Sequence, residues 1–297
     1  MEQAEDILLR PQEPGLRKFL RPMVTFYRQS PVGALAGVLL LAIIVVALAA
    51  PLIAPYHPLH ADFTVMTEPP TSSHILGTDP LGRDTLSRII HGARYTLMVA
   101  FAAVLLGTTS GAILGVASAY IGGKFDLGVQ RILEVLQAFP DLILALLLMV
   151  ALGPGLGTVI VAIAVTRIPF GGRVVRAVAL QVREMDYVTA ARAVGVSSVR
   201  TMRLHVAPQC VATYLVLATT HLGVAIIIEA SLGFLGVGIP PPTPTWGNML
   251  AMQGNNLIPP WWLVIYPGVA ITLIVLAFSL FGDGLRDYLD PRLRGRL

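Results

Sequence analysis

Charged residues vanish from long stretches of this chain. None lies between Arg28 and His57, where the run GALAGVLLLAIIVVALAAPLIA (33–54) is apolar throughout. A helix of that length crosses a hydrocarbon core of about 30 Å at roughly 1.5 Å per residue, which predicts a first membrane span. A second uncharged window, from Arg94 to Lys124, predicts another span from about Tyr95 to Ala119. Within it Gly107, Gly111 and Gly115 recur every fourth residue. They share one helix face and permit ordinary close packing against a neighbour.

Residues 131–175 are apolar but interrupted by Glu134, Asp141 and Arg167. GPGLG at 153–157 is strong turn chemistry and divides the stretch into spans three and four. Between Arg203 and Asp283 the single fixed charge is Glu229, and GVGIPPPTPTWGN separates a fifth span (about 209–232) from a sixth (about 262–282). The pattern predicts an all-α membrane protein of six transmembrane helices. Its parts are an amino-terminal cytosolic or interfacial segment (1–32), the first span (33–54), an extracytoplasmic loop (55–94) and a core (95–297) that holds a long loop, 173–208.

Basic residues set the direction. Seventeen of the 21 lysines and arginines fall in the amino-terminal tail, loop 120–131, loop 173–208 and the carboxyl tail. Arg83, Arg88 and Arg94 lie on the opposite side, and Arg167 lies within a span. By the positive-inside rule both termini and loop 173–208 are expected to be cytosolic, in a multi-pass membrane protein. Trp246, Trp261 and Trp262 then fall at the outer headgroup zone, where amphipathic rings collect.

Composition agrees: 55% of residues are hydrophobic and 13% charged, against roughly 25% charged in a soluble domain. Residues 1–32 are polar and basic, so the first apolar run reads as a retained span and not as a signal peptide. One cysteine, Cys210, and six scattered histidines give neither a disulfide framework nor a metal site. The formal charge of +4 is split among short loops without interleaved aromatics, which excludes nucleic acid as a partner.

Loop 173–208 carries the most specific chemistry. Tyr187 to Val194 reads as a short helix with small residues Ala190, Ala191 and Ala193, ended by Gly195 in a left-handed turn. Ser197 or Ser198 caps a second helix from about Val199 through Leu204, which Pro208 breaks. The two helices, the second studded with Arg200 and Arg203, form a knob fit for a groove on another protein. The alternative is a solvated basic loop held by anionic lipid.

Ionisable residues within spans need a partner or water, since an isolated charge at the bilayer centre costs roughly 2.5–3.5 kcal/mol or more. Counted from the turn near residue 155, Asp141 and Arg167 reach about 21 and 18 Å along antiparallel helices, depths at which they can pair. Pro140 and Pro169 stand beside them as kinks or span ends. Glu229 reads either as a pathway or gate residue or as an acceptor for backbone freed near Gly233 and Gly236. Asp79, Arg83 and Asp84 are expected on an outer amphipathic helix, against the spans or against a partner. No G-x-x-x-x-G-K-[ST] loop is present to cradle nucleotide phosphates, and GGK at 122–124 lacks the flanking residues. Neither a G-x-S-x-G elbow nor a Ser/His or paired-Asp arrangement marks an intramembrane hydrolase, and no internal repeat supports a secondary transporter. No catalytic residue and no bound cofactor are expected.

Thr189, Ala190, Ala191, Gly195 and Pro208 follow the spacing of a known motif: Glu-Ala-Ala, three residues, Gly and, further on, a proline. This region resembles the cytoplasmic coupling loop of bacterial ABC-importer permeases, with Thr189 where glutamate is usual. LGTDPLGRDTLSRIIHGAR (76–94), REMDYVTAARAVG (183–195), EASLGFLGVGIPPPTPTWGNML (229–250) and FGDGLRDYLDPRLR (281–294) are similar to the dipeptide/oligopeptide branch, in particular to the second of its two permease subunits. The resemblance runs from about residue 28 to the end. It implies a type I ABC importer permease fold and a homologous permease partner in a heterodimer. It also implies two cytosolic ATPase subunits carrying ATP and Mg, and an extracytoplasmic solute-binding protein. On that likeness Thr189, Ala190, Ala191, Gly195, Arg200, Arg203 and Pro208 couple the chain to the ATPases. Relatives in this branch carry dipeptides, oligopeptides, glutathione or chelated nickel.

Overall fold

The computed structural model describes residues 25–251 and 259–289. Most of the amino-terminal segment and the basic carboxyl tail beyond Leu289 lie outside the described residues. Helices dominate, and among the described residues β-pairing is confined to one isolated bridge, Thr78 with Asp84.

After a short helix at 25–29, α1 spans Pro31–Leu48 and is apolar on every side. It buries Gly33, Ala36, Leu40 and Ala47 and leaves Leu35, Val38, Leu41 and Val45 exposed, as a lipid-facing helix does. The helix yields at Ala49, and a single turn, Ala50–Ile53, ends the predicted first span.

α2 (Thr85–Ile121, 37 residues) starts ten residues before the predicted Tyr95. Asp84 caps it by accepting from the Ser87 amide (2.8 Å), so the expected loop–span boundary near residue 94 falls inside a continuous helix. α3 (Gly123–Gln137) and α4 (Asp141–Leu152) meet at a 90° bend around Pro140. The third predicted span is this bent pair: α4 alone, at about 18 Å, is too short for the hydrocarbon core. Among the described residues five helices are long and apolar enough to cross a membrane, and the bent pair makes six.

α5 (Leu156–Arg183) runs eleven residues into the stretch expected as loop 173–208. Its arginines find partners on neighbouring helices: Arg173 donates to Gln137, Arg176 forms a two-point pair with Asp126 (2.7 and 2.5 Å), and Arg183 donates to the Ala119 carbonyl (2.8 Å). Satisfied charge does not stop a helix. α6 (Asp186–Ala193) follows, and α7 (Ser198–Phe234) is continuous through Pro208, contrary to the expected break. A π-helical turn, Met202–Val206, resets the ladder so that Pro208 enters the resumed α-helix in its first two positions, where its missing N–H is not needed. α8 (Trp246–Ala251) and α9 (Trp261–Leu289) are the last helices among the described residues.

The core forms where α2, α5, α7 and α9 meet, and the closest contact is α2 with α5. A Cβ built on Gly107, Gly111 or Gly115 would stand 2.1, 2.2 or 2.3 Å from the carbonyl oxygen of Ala164, Ile168 or Gly172. Only glycine lets the backbones come that near. α1 crosses α9 in the same way, with Gly33 against Gly284.

Candidate functional site

The stretch that leaves the bundle is 184–197, shorter than predicted, and it is held from both sides. Val188 of α6 is fully buried with Val116, Ala119, Val182 and Val206, which roots the short helix among the ends of α2, α5 and α7. Its other side is bare: Thr189, Ala190, Arg192, Ala193, Val194 and Gly195 are exposed, Val194 by 80%. Gly195 has φ +84°; its amide donates to Arg192 (3.0 Å) and the Val196 amide to Ala191 (3.1 Å). That pair of bonds is the Schellman closure, which turns the chain sharply and satisfies the last carbonyls of α6. Nothing lies within 4 Å of a Cβ on Gly195. Its surroundings are open and its backbone is fixed.

Ser197 stands at the N-cap of α7 but makes no side-chain cap bond. Arg192 lies over the Tyr120 ring (5.0 Å), tying α6 to the end of α2, and the Tyr187 hydroxyl donates to the His205 carbonyl (3.5 Å). Thr189, Ala190, Ala191 and Gly195 thus share one knob, with exposed Arg200 beside it at the start of α7. Arg203 and Pro208 sit further along α7; Arg203 lines an apolar groove between α2 and α7 and does not reach the tip.

Polar side chains inside the bundle form two separate ties. Arg167, with 3% of its side chain exposed, pairs with Asp141 at the first residue of α4 and donates to the Thr166 hydroxyl (3.1 Å). Its guanidinium also lies 5.3 Å from the Phe170 ring centre, and Phe170 meets His221 edge-on. His221, buried, shares a 2.9 Å hydrogen bond with Thr108, which joins α7 to α2. Glu229 is 1% exposed and accepts from the side chains of Thr96 on α2 (3.1 Å) and Thr245, where backbone near Gly233 and Gly236 was expected. The bonding of His221 to Thr108 was invisible in the sequence, which offers no signal for a contact 113 residues apart.

At the opposite end, residues 55–84 form a compact cap, not the expected amphipathic helix. Asp79 accepts from Arg83 (2.7 Å) and stands 3.5 Å from Arg88, whose guanidinium donates to the Pro58 carbonyl (3.1 Å). Asp84 holds His74 (3.0 Å) and Ser87 (2.7 Å). The D-T-L-S spacing at 84–87 is the signal that reveals the helix start. Of the three tryptophans expected at a headgroup zone, only Trp261 presents an exposed ring. Trp246 is 2% exposed and donates to Ile89 (3.0 Å), and Trp262 donates to Thr78 (3.4 Å), because a buried indole N–H needs an acceptor.

A bundle of long apolar helices with a rooted, small-surfaced knob at one end defines the class: a multi-span α-helical membrane protein. Residues 107–295 match the family described as binding-protein-dependent transport system inner membrane component, and the chain belongs to it. It is 41% identical over 269 residues to the di/tripeptide transport system permease protein of Pseudomonas aeruginosa (88% of this chain, 89% of the relative). It is 39% identical over 276 residues to the dipeptide transport system permease protein of Haemophilus influenzae (91% and 94%). Over 270 residues it is 39% identical to the glutathione transport system permease protein of Pectobacterium atrosepticum (91% and 89%). The chain is therefore a multi-pass permease subunit of the inner membrane.

Proposed function

We propose that the chain forms half of a peptide-translocation pathway and transmits ATP-driven motion from partner subunits through the 184–197 knob. The observation that carries this reading is the knob's construction: a buried root at Val188, a fixed turn at Gly195 and an exposed surface of small residues. Such a shape fits a groove and passes force to the core. In this reading both termini face the cytosol, and a homologous permease completes the pathway. Two cytosolic ATPases hold ATP and Mg, and an extracytoplasmic binding protein delivers the solute. α5 and α7 leave directly from the knob, so ATPase closure would tilt both, biasing an equilibrium between inward-open and outward-open arrangements.

Thr189, Ala190, Ala191, Gly195 and Arg200 would meet the ATPase directly. Arg203 and Pro208 would act through the π turn that aims α7. Asp141, Arg167 and Glu229 would serve the pathway by holding α4 to α5 and α7 to α2. The relatives' names support di- or tripeptides as cargo; the glutathione relative favours a second reading, in which the same machinery carries glutathione, itself a tripeptide.

The test is Gly195→Pro, and separately charge reversal of Arg200 and Arg203 together, in the co-expressed importer. Each is expected to leave membrane insertion intact while cutting ATPase copurification and dipeptide uptake. Uptake at the unmodified rate in both would overturn the coupling role.

A further inference from the structure

The groove that Arg203 lines runs between α2 and α7 and opens to the side of the bundle. Its floor is Val116, Val175 and Cys210, all buried, and its rims are Ile113 and Val211, 64% and 49% exposed. Small residues make the space: Ala112 and Ala117 of α2 and Ala207 of α7 line it, and their single methyl groups leave the gap between the helices unfilled.

The two ends of the groove differ in chemistry. At the deep end the Thr109 and Tyr214 hydroxyls share a hydrogen bond (2.8 Å), so each satisfies the other and neither asks for a polar ligand. At the knob end stands Arg203, exposed, the one charged residue among those lining the groove. Arg200, a turn earlier on α7, is exposed as well. Among the described residues neither guanidinium has a hydrogen-bonding or ionic partner, and no acid lines the groove.

Dimensions narrow the occupant. Tyr214 lies eleven residues beyond Arg203, about 16 Å along the helix, which is half of a hydrocarbon core of about 30 Å and so the depth of one leaflet. A volume of about 300 Å³ spread over that length is too narrow for another helix, roughly 10–12 Å across, and suits one extended hydrocarbon chain. A lipid chain seated there with its headgroup at the knob end brings its phosphate to Arg203. Basic side chains between the ends of membrane helices hold anionic headgroups in this way.

We infer that the groove is a binding site for an anionic phospholipid, with one acyl chain between α2 and α7 and the phosphate on Arg203, assisted by Arg200. The site borders the π turn at the base of α7, so its occupant braces that turn. The inference needs neither the cargo nor the coupling role proposed above.

The test uses the complete importer in nanodiscs of phosphatidylcholine doped with a phosphatidylglycerol that carries a diazirine midway along one acyl chain. After irradiation, the labelled peptides of this subunit are mapped. Labelling is expected at 109–117 and 207–214, above the background that any surrounding lipid leaves on the exposed side of α1. A matched phosphatidylcholine probe should label the groove about fivefold less relative to α1, and Arg203→Gln should lower labelling by the anionic probe by about the same factor. Arg203→Lys, which keeps the charge, should retain most of it. Ala117→Phe, which keeps both arginines but fills the groove, should lose it. Excess unlabelled phosphatidylglycerol or cardiolipin should displace the probe, and the more effective of the two identifies the headgroup preferred. Equal labelling by the two probes, or groove labelling indifferent to Arg203→Gln, overturns the site and leaves only surrounding lipid. A groove that neither probe reaches in the complete importer is covered by a partner subunit, which overturns it as well. ATPase copurification is scored on the same samples. Loss of copurification in Arg203→Gln with groove labelling unchanged counts for the coupling role and against the lipid site; loss of labelling with copurification intact counts for the lipid site.

Discussion

A single methyl group decides whether α2 and α5 can touch. At Gly111 it would sit 2.2 Å from a backbone oxygen, and backbone has no rotamer to escape into. Gly111→Ala is expected to destabilise the detergent-purified protein by at least roughly 1–3 kcal/mol, the usual range for overpacking. Gly128→Ala, with nothing within 4 Å, should be neutral or up to about 1 kcal/mol stabilising, since alanine favours a helix interior. Thermal unfolding of both distinguishes a packing effect from a general intolerance of substitution. The tie between Asp141 and Arg167 makes a second prediction, an asymmetric one. Arg167 is 3% exposed and Asp141 35%, so Asp141→Asn strands a guanidinium away from water while Arg167→Gln leaves a carboxylate that water reaches. Asp141→Asn should cost more, and the double variant should cost less than the two singles together. Additive losses in that cycle would dismiss the pair as a stabilising unit. These two residues were legible in the sequence because a glycine-rich turn fixes the count along two helices that are regular on either side of it. Thr96 with Glu229 was not, because nothing local records a contact 133 residues away.

Among the elements, those the sequence misplaced are the ones where side chains rescue an interrupted pattern. Three arginines read as the start of a loop, yet α5 carries them as helix because α3 and α2 supply their partners. A proline read as a stop, yet the π turn before it lets α7 continue. α3 depends on the same bonds: apart from buried Leu133 it presents mostly exposed residues, and Asp126 clamps it to Arg176. Asp126→Asn is expected to quicken backbone hydrogen exchange across 123–137 while α2 stays protected. Unchanged exchange in α3 would mean that Leu133 alone holds it. The knob follows the opposite rule. Its helix and glycine turn were legible because the Schellman signal is local and acts over a handful of residues, whereas of the second helix only the start was, since it runs on through Pro208.

For the whole molecule, the described residues form a bundle of membrane helices with a knob at one end and a cap at the other, and the proposed role makes it one component of a larger importer. Purified alone, the chain is expected neither to hydrolyse ATP nor to move dipeptide across proteoliposomes. Coexpression should recover it with one permease partner and two ATPase copies, and light scattering of the detergent complex checks that ratio. Hydrolysis or uptake by the lone chain would contradict this composition. The positions of all six spans were readable from charge-poor windows and turn residues, the third of them broken by the bend at Pro140; the cap at 55–84 was not read as a compact unit.

α2 has one more consequence. Its 37 residues extend for about 55 Å, well beyond the thickness of any hydrocarbon core, and three glycines weld its middle to α5. One terminus carries the buried ionic cap, and the other is stacked under Arg192 beside the knob. A rod held at both ends and at its middle resists bending. In the coupling role proposed above, a push at the knob would arrive at the other end of α2 as displacement of the cap, carried by the helix itself.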